Sequence, residues 1–298
     1  MEAPRVQRRY VINEQPLSPR DYEVPVGWWG WNWDPPIPMS ITAIVRAGNM
    51  DTRTAALCGM TIASHGSLLI AAEQPHSGKT TTLTALLDYL PLRTRRVFVR
   101  GWAETFDFLE QTRAEETILL ANELSSHLPV YLWGPKAVRV FGTLRRGYAL
   151  GSTLHADSAE EAVAQLTEEL GVAPADLARV HLLMVMRIYA TSRGGHARRV
   201  VSLHRLAARG DAVSPIPLVT HDADEDAHAH DESAEAALLA SLRGEDAEAA
   251  DRELRRRAAL LDELIARDTF EIADVRDALA ADRGEHLPAG LRGDPVNG

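Results

Sequence analysis

The sequence predicts an α/β fold: a mostly parallel sheet covered by helices on both faces, followed by a small C-terminal helical appendage. Three observations predict it. From residue 67 short apolar runs alternate with helix-period stretches, the pattern of a parallel sheet buried on both sides. Between the first run and the first helix lies a polar loop, Ser77-Gly78-Lys79-Thr80-Thr81, in the strand, loop, helix order of a P-loop. Beyond residue 233 the periodicity becomes purely helical, with Leu238, Leu239 and Leu242, then Leu260, Leu261 and Leu264, then Phe270, Ile272, Val275 and Leu279.

The elements come in order along the chain. Residues 1–37 form an N-terminal arm whose segment DYEVPVGWWGWNWDPPI gathers Trp28, Trp29, Trp31 and Trp33. Pro35 and Pro36 exclude a helix there. The Trp rings are expected to fold back over the domain's own apolar surface, since four exposed indoles invite aggregation. Residues 38–65 read as two short helices, with Asp51 as N-cap of the second. Strands are expected at 67–72, 96–100, 117–121, 150–154, 182–188 and 199–204, and helices at 80–89, 103–114, 136–147, 157–171 and 175–181. The turn-like Ser192-Arg193-Gly194-Gly195 joins the last two strands as an antiparallel hairpin. The main domain thus spans 38–209. Residues 210–233, rich in acid and His with two Pro, read as a linker, 234–283 as the helical appendage and 284–298 as a tail.

Composition narrows the classes. The 298 residues are 45% apolar and 25% charged, which is ordinary for a globular protein. A formal net charge of −10 argues against direct nucleic-acid binding, which needs a concentrated basic face. Cys58 lies in an Ala/Leu-rich helical stretch and is expected as a small core residue. A single cysteine permits no intrachain disulfide, which fits a reducing compartment. The N-terminus lacks an apolar signal core, and no segment approaches the roughly 18 apolar residues of a spanning helix, so a cytoplasmic protein with at most peripheral membrane association is expected.

The chemistry concentrates in residues 68–86, LLIAAEQPHSGKTTTLTAL. Loop amides and a helix N-terminus suit a polyphosphate. His76, Ser77, Gly78, Lys79, Thr80 and Thr81 form the candidate nucleotide-binding set, with Lys79 reaching the β- and γ-phosphates and the Thr80 hydroxyl on Mg²⁺. The Walker A pattern G-x-x-x-x-G-K-[ST] wants Gly at 73, where the chain has Glu73. Hydrolysis further needs an acid near the attacking water and a γ-phosphate sensor. Glu123 comes just after the apolar strand 117–121, and His155 ends the strand in GSTLHADS. Both stand at carboxyl ends of strands, where such sheets bind ligands.

Three blocks together resemble the secretion and pilus-assembly ATPases of type II and type IV systems. HSGKTTTLTALLDYLP is similar to that family's Walker A and following helix, ILLANEL to its Walker B ending in Glu, and GYALGSTLHADSAEEAVAQL to its His box. RIYATSRGGHARRVVSLHRL resembles its closing hairpin. The resemblance covers roughly residues 40–206 and implies a RecA-like P-loop core, ATP and Mg²⁺ as cofactors, a homo-oligomeric ring (a hexamer in the family), and work beside a membrane platform at the inner face of the membrane. Departures run through the same blocks. Glu73 and Asn122 replace glycines, Ser125 an arginine and Tyr148 a histidine. Of the family's acidic box only Glu104 survives, a third candidate catalytic residue beside Glu123 and His155, with Arg100 and Asp107 able to replace what is lost. The large N-terminal domain that the resemblance implies is absent or reduced to about 60 residues. Two functions are implied: an ATP-hydrolysing subunit of such a machine, or a catalytically weak, nucleotide-binding regulatory or structural subunit. A transporter cassette is disfavoured, because no LSGGQ-like signature is present.

Overall fold

The computed structural model describes residues 17–29, 37–191 and 195–286. Eight strands form one sheet: β1 Leu68–Ala71, β2 Arg95–Phe98, β3 Thr117–Leu124, β4 Ala149–Leu154, β5 Leu182–Ala190, β6 His196–Arg209, β7 Ala212–Asp222 and β8 Ala227–His230. Their order is β2-β3-β4-β1-β5-β6-β7-β8. The first five in that order run parallel, and β5 to β8 pair antiparallel. This is the expected mostly parallel P-loop core with an antiparallel extension. The strand bearing Glu123 is not a neighbour of β1, because β4 lies between them.

Period-2 alternation divides the core between the two faces of the sheet. Leu68 and Ile70 of β1 pack on one side, Leu69 and Ala71 on the other. Helices α1 Pro19–Glu23, α5 Phe108–Gln111, α6 Gly134–Thr143, α7 Ala159–Ala164 and α8 Pro174–Leu177 cover the second side through Tyr22, Phe108, Phe141, Val163 and Leu177. Helices α2 Ile41–Arg46, α3 Thr52–Ala63 and α4 Lys79–Leu86 cover the first. Asp51 caps α3 as expected, accepting from the Thr54 amide at 2.8 Å. Cys58 is fully buried, and burial pushes its thiol pKa up. Among the described residues no helix is long and apolar enough to cross a membrane.

Residues 210–233 correct the expectation of a linker, since they supply all of β7 and β8. Val213, Leu218 and Val219 are buried, enough to seat β7 on the sheet. The prolines are tolerated because β8 pairs only with Val219–Asp222, so Pro215 and Pro217 lie where β7 is an edge strand. The His and Asp side chains are spent on each other: His221 meets Asp226 at 2.9 Å, and His230 meets Asp51 at 2.8 Å.

The helix expected over 103–114 shrinks to the four residues of α5. Glu104 takes the amides of Arg100 and Phe106 at 3.0 and 2.6 Å, and Phe106 adopts φ +66°, which no helix accepts. Past Asp231, helices α9 Glu232–Arg243, α10 Ala247–Ala266 and α11 Ile272–Asp282 fold where helical periodicity placed them. Leu239, Leu254, Leu261, Val275 and Leu279 join the core of the α3 face.

Of the tryptophans, Trp28 is 2% exposed, donates from Nε1 to Thr84 Oγ1 at 2.9 Å and packs edge-on against Phe98. Trp29 packs partly buried on the same core, while Trp31 and Trp33 lie outside the described residues. The two described rings therefore match the folded-back expectation.

Candidate functional site

The loop after β1 turns on two left-handed residues, His76 at φ +60° and Gly78 at φ +91°. Glycine reaches that region freely, whereas His76 does so under strain, a feature that concentrates at functional sites. Gly78 is the N-cap of α4 and offers no side-chain bond, so no side chain caps the first-turn amides. Ser77 is buried and its Oγ has no partner, an unmet donor inside the loop. Glu73 is not among the residues with positive φ, so position 73 has no need of glycine, and its side chain stands in solvent.

Lys79 is 6% exposed, and its Nζ donates to Ala72 O at 3.0 Å. Burial lowers its pKa, opposed by the Glu123 and Glu73 carboxylates. A buried ammonium held mainly by one carbonyl is an incompletely satisfied cation, with donor capacity left for an anion.

Glu123 reaches the site because β3 bulges. The register of β3 on β4 slips between Ala121 and Glu123, leaving Asn122 as the extra residue and re-aiming the side chains beyond it. Asn122 Nδ2 donates to the carbonyls of Gly27 and of Trp28, the latter at 2.6 Å, while Thr153 Oγ1 donates to Asn122 O at 2.7 Å. The Asn at this position thus ties the Trp segment to the sheet, a contact glycine could not make.

The Glu123 carboxylate lies 2.9 Å from His155 Nε2. The other ring nitrogen, Nδ1, donates to Glu73 O at 3.0 Å. A ring facing a carboxylate on one nitrogen and a carbonyl on the other suits the imidazolium. Glu123 accordingly raises the His155 pKa, against burial and the Lys79 charge. His127 stands beside it, with ring centroids 6.3 Å apart and Nδ1 bonded to Ser125 Oγ at 2.8 Å.

These groups wall a cavity of about 910 Å³, open to solvent, with the loop, Glu123, His155 and Arg198 on its polar side. Trp29, Met39, Ile44 and Ala47 form an apolar side, with Asn49 among them. The size and the mixture of apolar and polar lining residues are those of a small-molecule site. His76, Ser77, Gly78, Lys79, Thr80, Thr81, Glu123 and His155 are therefore brought together.

Glu104 is not. It is 2% exposed, outside the cavity wall, and saturated by the Arg100 and Phe106 amides and by the Tyr22 hydroxyl at 2.9 Å. Arg100 donates to Asp21 O, and Asp107 accepts from the Leu17 amide at 2.9 Å, so this segment serves to dock α1. Tyr148 is likewise a core residue, packed edge-on against Phe108. Sequence reasoning missed Arg198 and Tyr131 in the wall. The signal for Arg198 was present, because successive strand residues face opposite ways and one of Arg198 and Arg199 must turn toward the loop.

Fold and loop together define a P-loop α/β core. No protein-family model matches the chain. It is 25% identical over 281 residues to the uncharacterized protein MJ0900 of Methanocaldococcus jannaschii, covering 82% of this chain and 49% of that protein. The chain thus spans about half the length of the curated relative it matches. Among solved structures it is similar to the ATPase DotB of Legionella pneumophila, at TM-score 0.41 and 11% identity, covering 84% of this chain and 63% of that one. It is also similar to the VirB11 ATPase of the Brucella suis type IV secretion system, solved in complex with sulphate, at TM-score 0.38 and 15% identity over 67% and 63% of the two chains. For the Yersinia pseudotuberculosis ATPase DotB the values are 0.38, 14%, 83% and 63%.

Proposed function

We propose that the chain binds ATP with Mg²⁺ in this cavity and hydrolyses it, as a subunit of a secretion or pilus-assembly machine. The observation that carries the reading is the bulge in β3, which presents Glu123 to the same cavity as Lys79 and pairs it with His155. The orphaned Ser77 hydroxyl, the uncapped start of α4 and the buried Lys79 support a phosphate ligand. The hard hydroxyl oxygen of Thr80, with phosphate oxygens of the nucleotide, suits Mg²⁺, which neutralises phosphate charge when bound. Lys79 holds the β- and γ-phosphates, and Glu123 orients water and accepts its proton. His155 hydrogen-bonds the γ-phosphate once it leaves Glu123, so arrival of the nucleotide releases the base. A homo-oligomeric ring, a membrane platform and a cytoplasmic location rest on the sequence resemblance.

A second reading is a nucleotide-binding subunit with weak turnover. It is favoured by the engagement of Glu123 with His155 and by the withdrawal of Glu104 from the cavity. Steady-state ATP hydrolysis by the purified chain beside Lys79→Ala separates the two. Turnover that Lys79→Ala reduces at least tenfold supports the first reading. Bound ATP with background turnover that Lys79→Ala leaves unchanged leaves the second.

The Glu123–His155 pair has its own pH signature. A histidine whose pKa is raised in the folded state contributes its stabilisation in full below the ordinary histidine range, and that contribution is lost as pH rises through the raised value. Histidine ring resonances followed by NMR should show His155 titrating above the usual range, and falling back in Glu123→Gln. An unchanged His155 titration in that variant contradicts the pairing.

A further inference from the structure

The β5–β6 hairpin grips the phosphate loop from the side opposite His155. Ile188 N donates to Gln74 Oε1 at 2.8 Å, and Arg198, paired across the ladder with Ile188, donates from Nε to His76 O at 2.9 Å. The Arg198 stem lies against Gly78, where a Cβ would come within 3.3 Å of Cδ. The neighbouring arginines are committed elsewhere. Arg199 makes a two-pronged pair with Asp226 at 2.6 and 2.7 Å, and Arg187 donates to Asp157 O. Arg198 has no carboxylate partner among the described residues, although it lines the cavity with Lys79. The chain thus holds a guanidinium over the start of α4, anchored through Nε, with no bond from its two terminal nitrogens among the described residues.

We propose that Arg198 is a phosphate-binding residue of this site: its Nη atoms donate to the β- and γ-phosphate oxygens that Lys79 reaches, while Nε keeps the His76 carbonyl. The charge comes from the same chain. The proposal rests on the nucleotide-site reading of the cavity. Only a guanidinium can do both tasks at once, because its donors form a planar fork, whereas an ammonium is a point charge. The Arg199–Asp226 pair fixes the adjacent backbone, so the fork is already aimed and little side-chain freedom is lost on binding.

The test measures ATP, ADP and AMP affinities by calorimetry for the full chain, Arg198→Ala, Arg198→Lys and, as reference, Lys79→Ala. Arg198→Ala should weaken ATP and ADP by about 10- to 100-fold and AMP by less than about threefold, with Arg198→Lys intermediate. Thermal melting without nucleotide checks that each variant folds, and the Lys variant keeps the test decisive if the Ala variant does not. Wild-type affinity for ATP in folded Arg198→Ala, alongside loss in Lys79→Ala, overturns the role of Arg198 and leaves the site standing. An equal loss for AMP also overturns it, since the residue then acts on the loop and not on the phosphates. No ATP binding by the wild-type chain removes the site and the proposal together.

Discussion

Glu123→Gln is expected to lower ATP turnover by about two to four orders of magnitude while leaving nucleotide affinity within about threefold of the wild type. The substitution keeps the shape of the side chain and its place on the bulged strand, so the cavity and the Lys79 loop are preserved. On the proposed mechanism it removes the carboxylate that would accept the proton of the attacking water, an interaction needed in the transition state and not in the ground state. It also ends the ion pair with His155, freeing that ring in the absence of nucleotide. A loss in kcat with unchanged binding is therefore the expected split. Equal loss of both would place Glu123 in ligand or metal binding, and no loss of either would remove it from the chemistry. Single-turnover measurement with radiolabelled ATP beside equilibrium binding reads the two quantities separately.

The second large effect is on stability. Glu235 on α9 is fully buried, with Arg53 Nε at 2.7 Å and His230 Nδ1 at 2.6 Å, and His230 Nε2 reaches Asp51. This network joins β8, the N-cap of α3 and α9. Glu235→Ala takes one carboxylate from Arg53 and His230, which keep Asp251 and Asp51, and should destabilise the fold by about 1.5–3 kcal/mol, a large share of a typical total. Urea unfolding of the variant would show it, and a change under about 1 kcal/mol would contradict the arrangement.

The same groups set the pH dependence. Burial opposes charge on His230, but Asp51 and Glu235 outweigh it and raise its pKa to about 9. The stabilisation is therefore complete below about pH 6.5, where unfolded histidine is also charged, and is lost as pH rises through about 9. Asp51 behaves oppositely. Burial pushes its pKa up, yet His230 and Thr54 bring it down to about 2, so its contribution holds above the ordinary carboxylate range and fades as pH falls toward 2. His230→Gln should flatten the alkaline limb between pH 6.5 and 9 and also weaken the acid limb, because His230 is the main group that lowers Asp51.

The parallel core was legible because its signals are local. Strands buried on both faces need continuous apolar runs, and the runs at 67–72, 117–121 and 182–188 met β1, β3 and β5 within a few residues. That residues 76–81 line one cavity was legible because they are contiguous in the chain between a strand and a helix. Glu123 and His155 could be read from strand ends, whose position in a parallel sheet is fixed by topology. The linker expectation failed because an edge strand need not be hydrophobic or free of proline when one of its sides makes no ladder bonds. Glu104 misled for a related reason: an acid kept in a motif-like stretch can serve a turn, and only the positions of Tyr22 and the Phe106 amide show which it does.

Periodicity and neighbours in the chain suffice for the alternation of strand and helix, the 76–81 loop and the two strand-end residues that share its cavity. The tertiary structure alone decided the rest. Whether Asn122 sits in a bulge, which of two adjacent arginines turns to the loop, and where the acidic His-rich stretch finds its partners depend on contacts between distant parts of the chain. His76 and Arg198 are 122 positions apart, and Asp51 and His230 are 179 apart. Loop closure over such spans is set by the packed core and not by local propensity, so no window of sequence contains it.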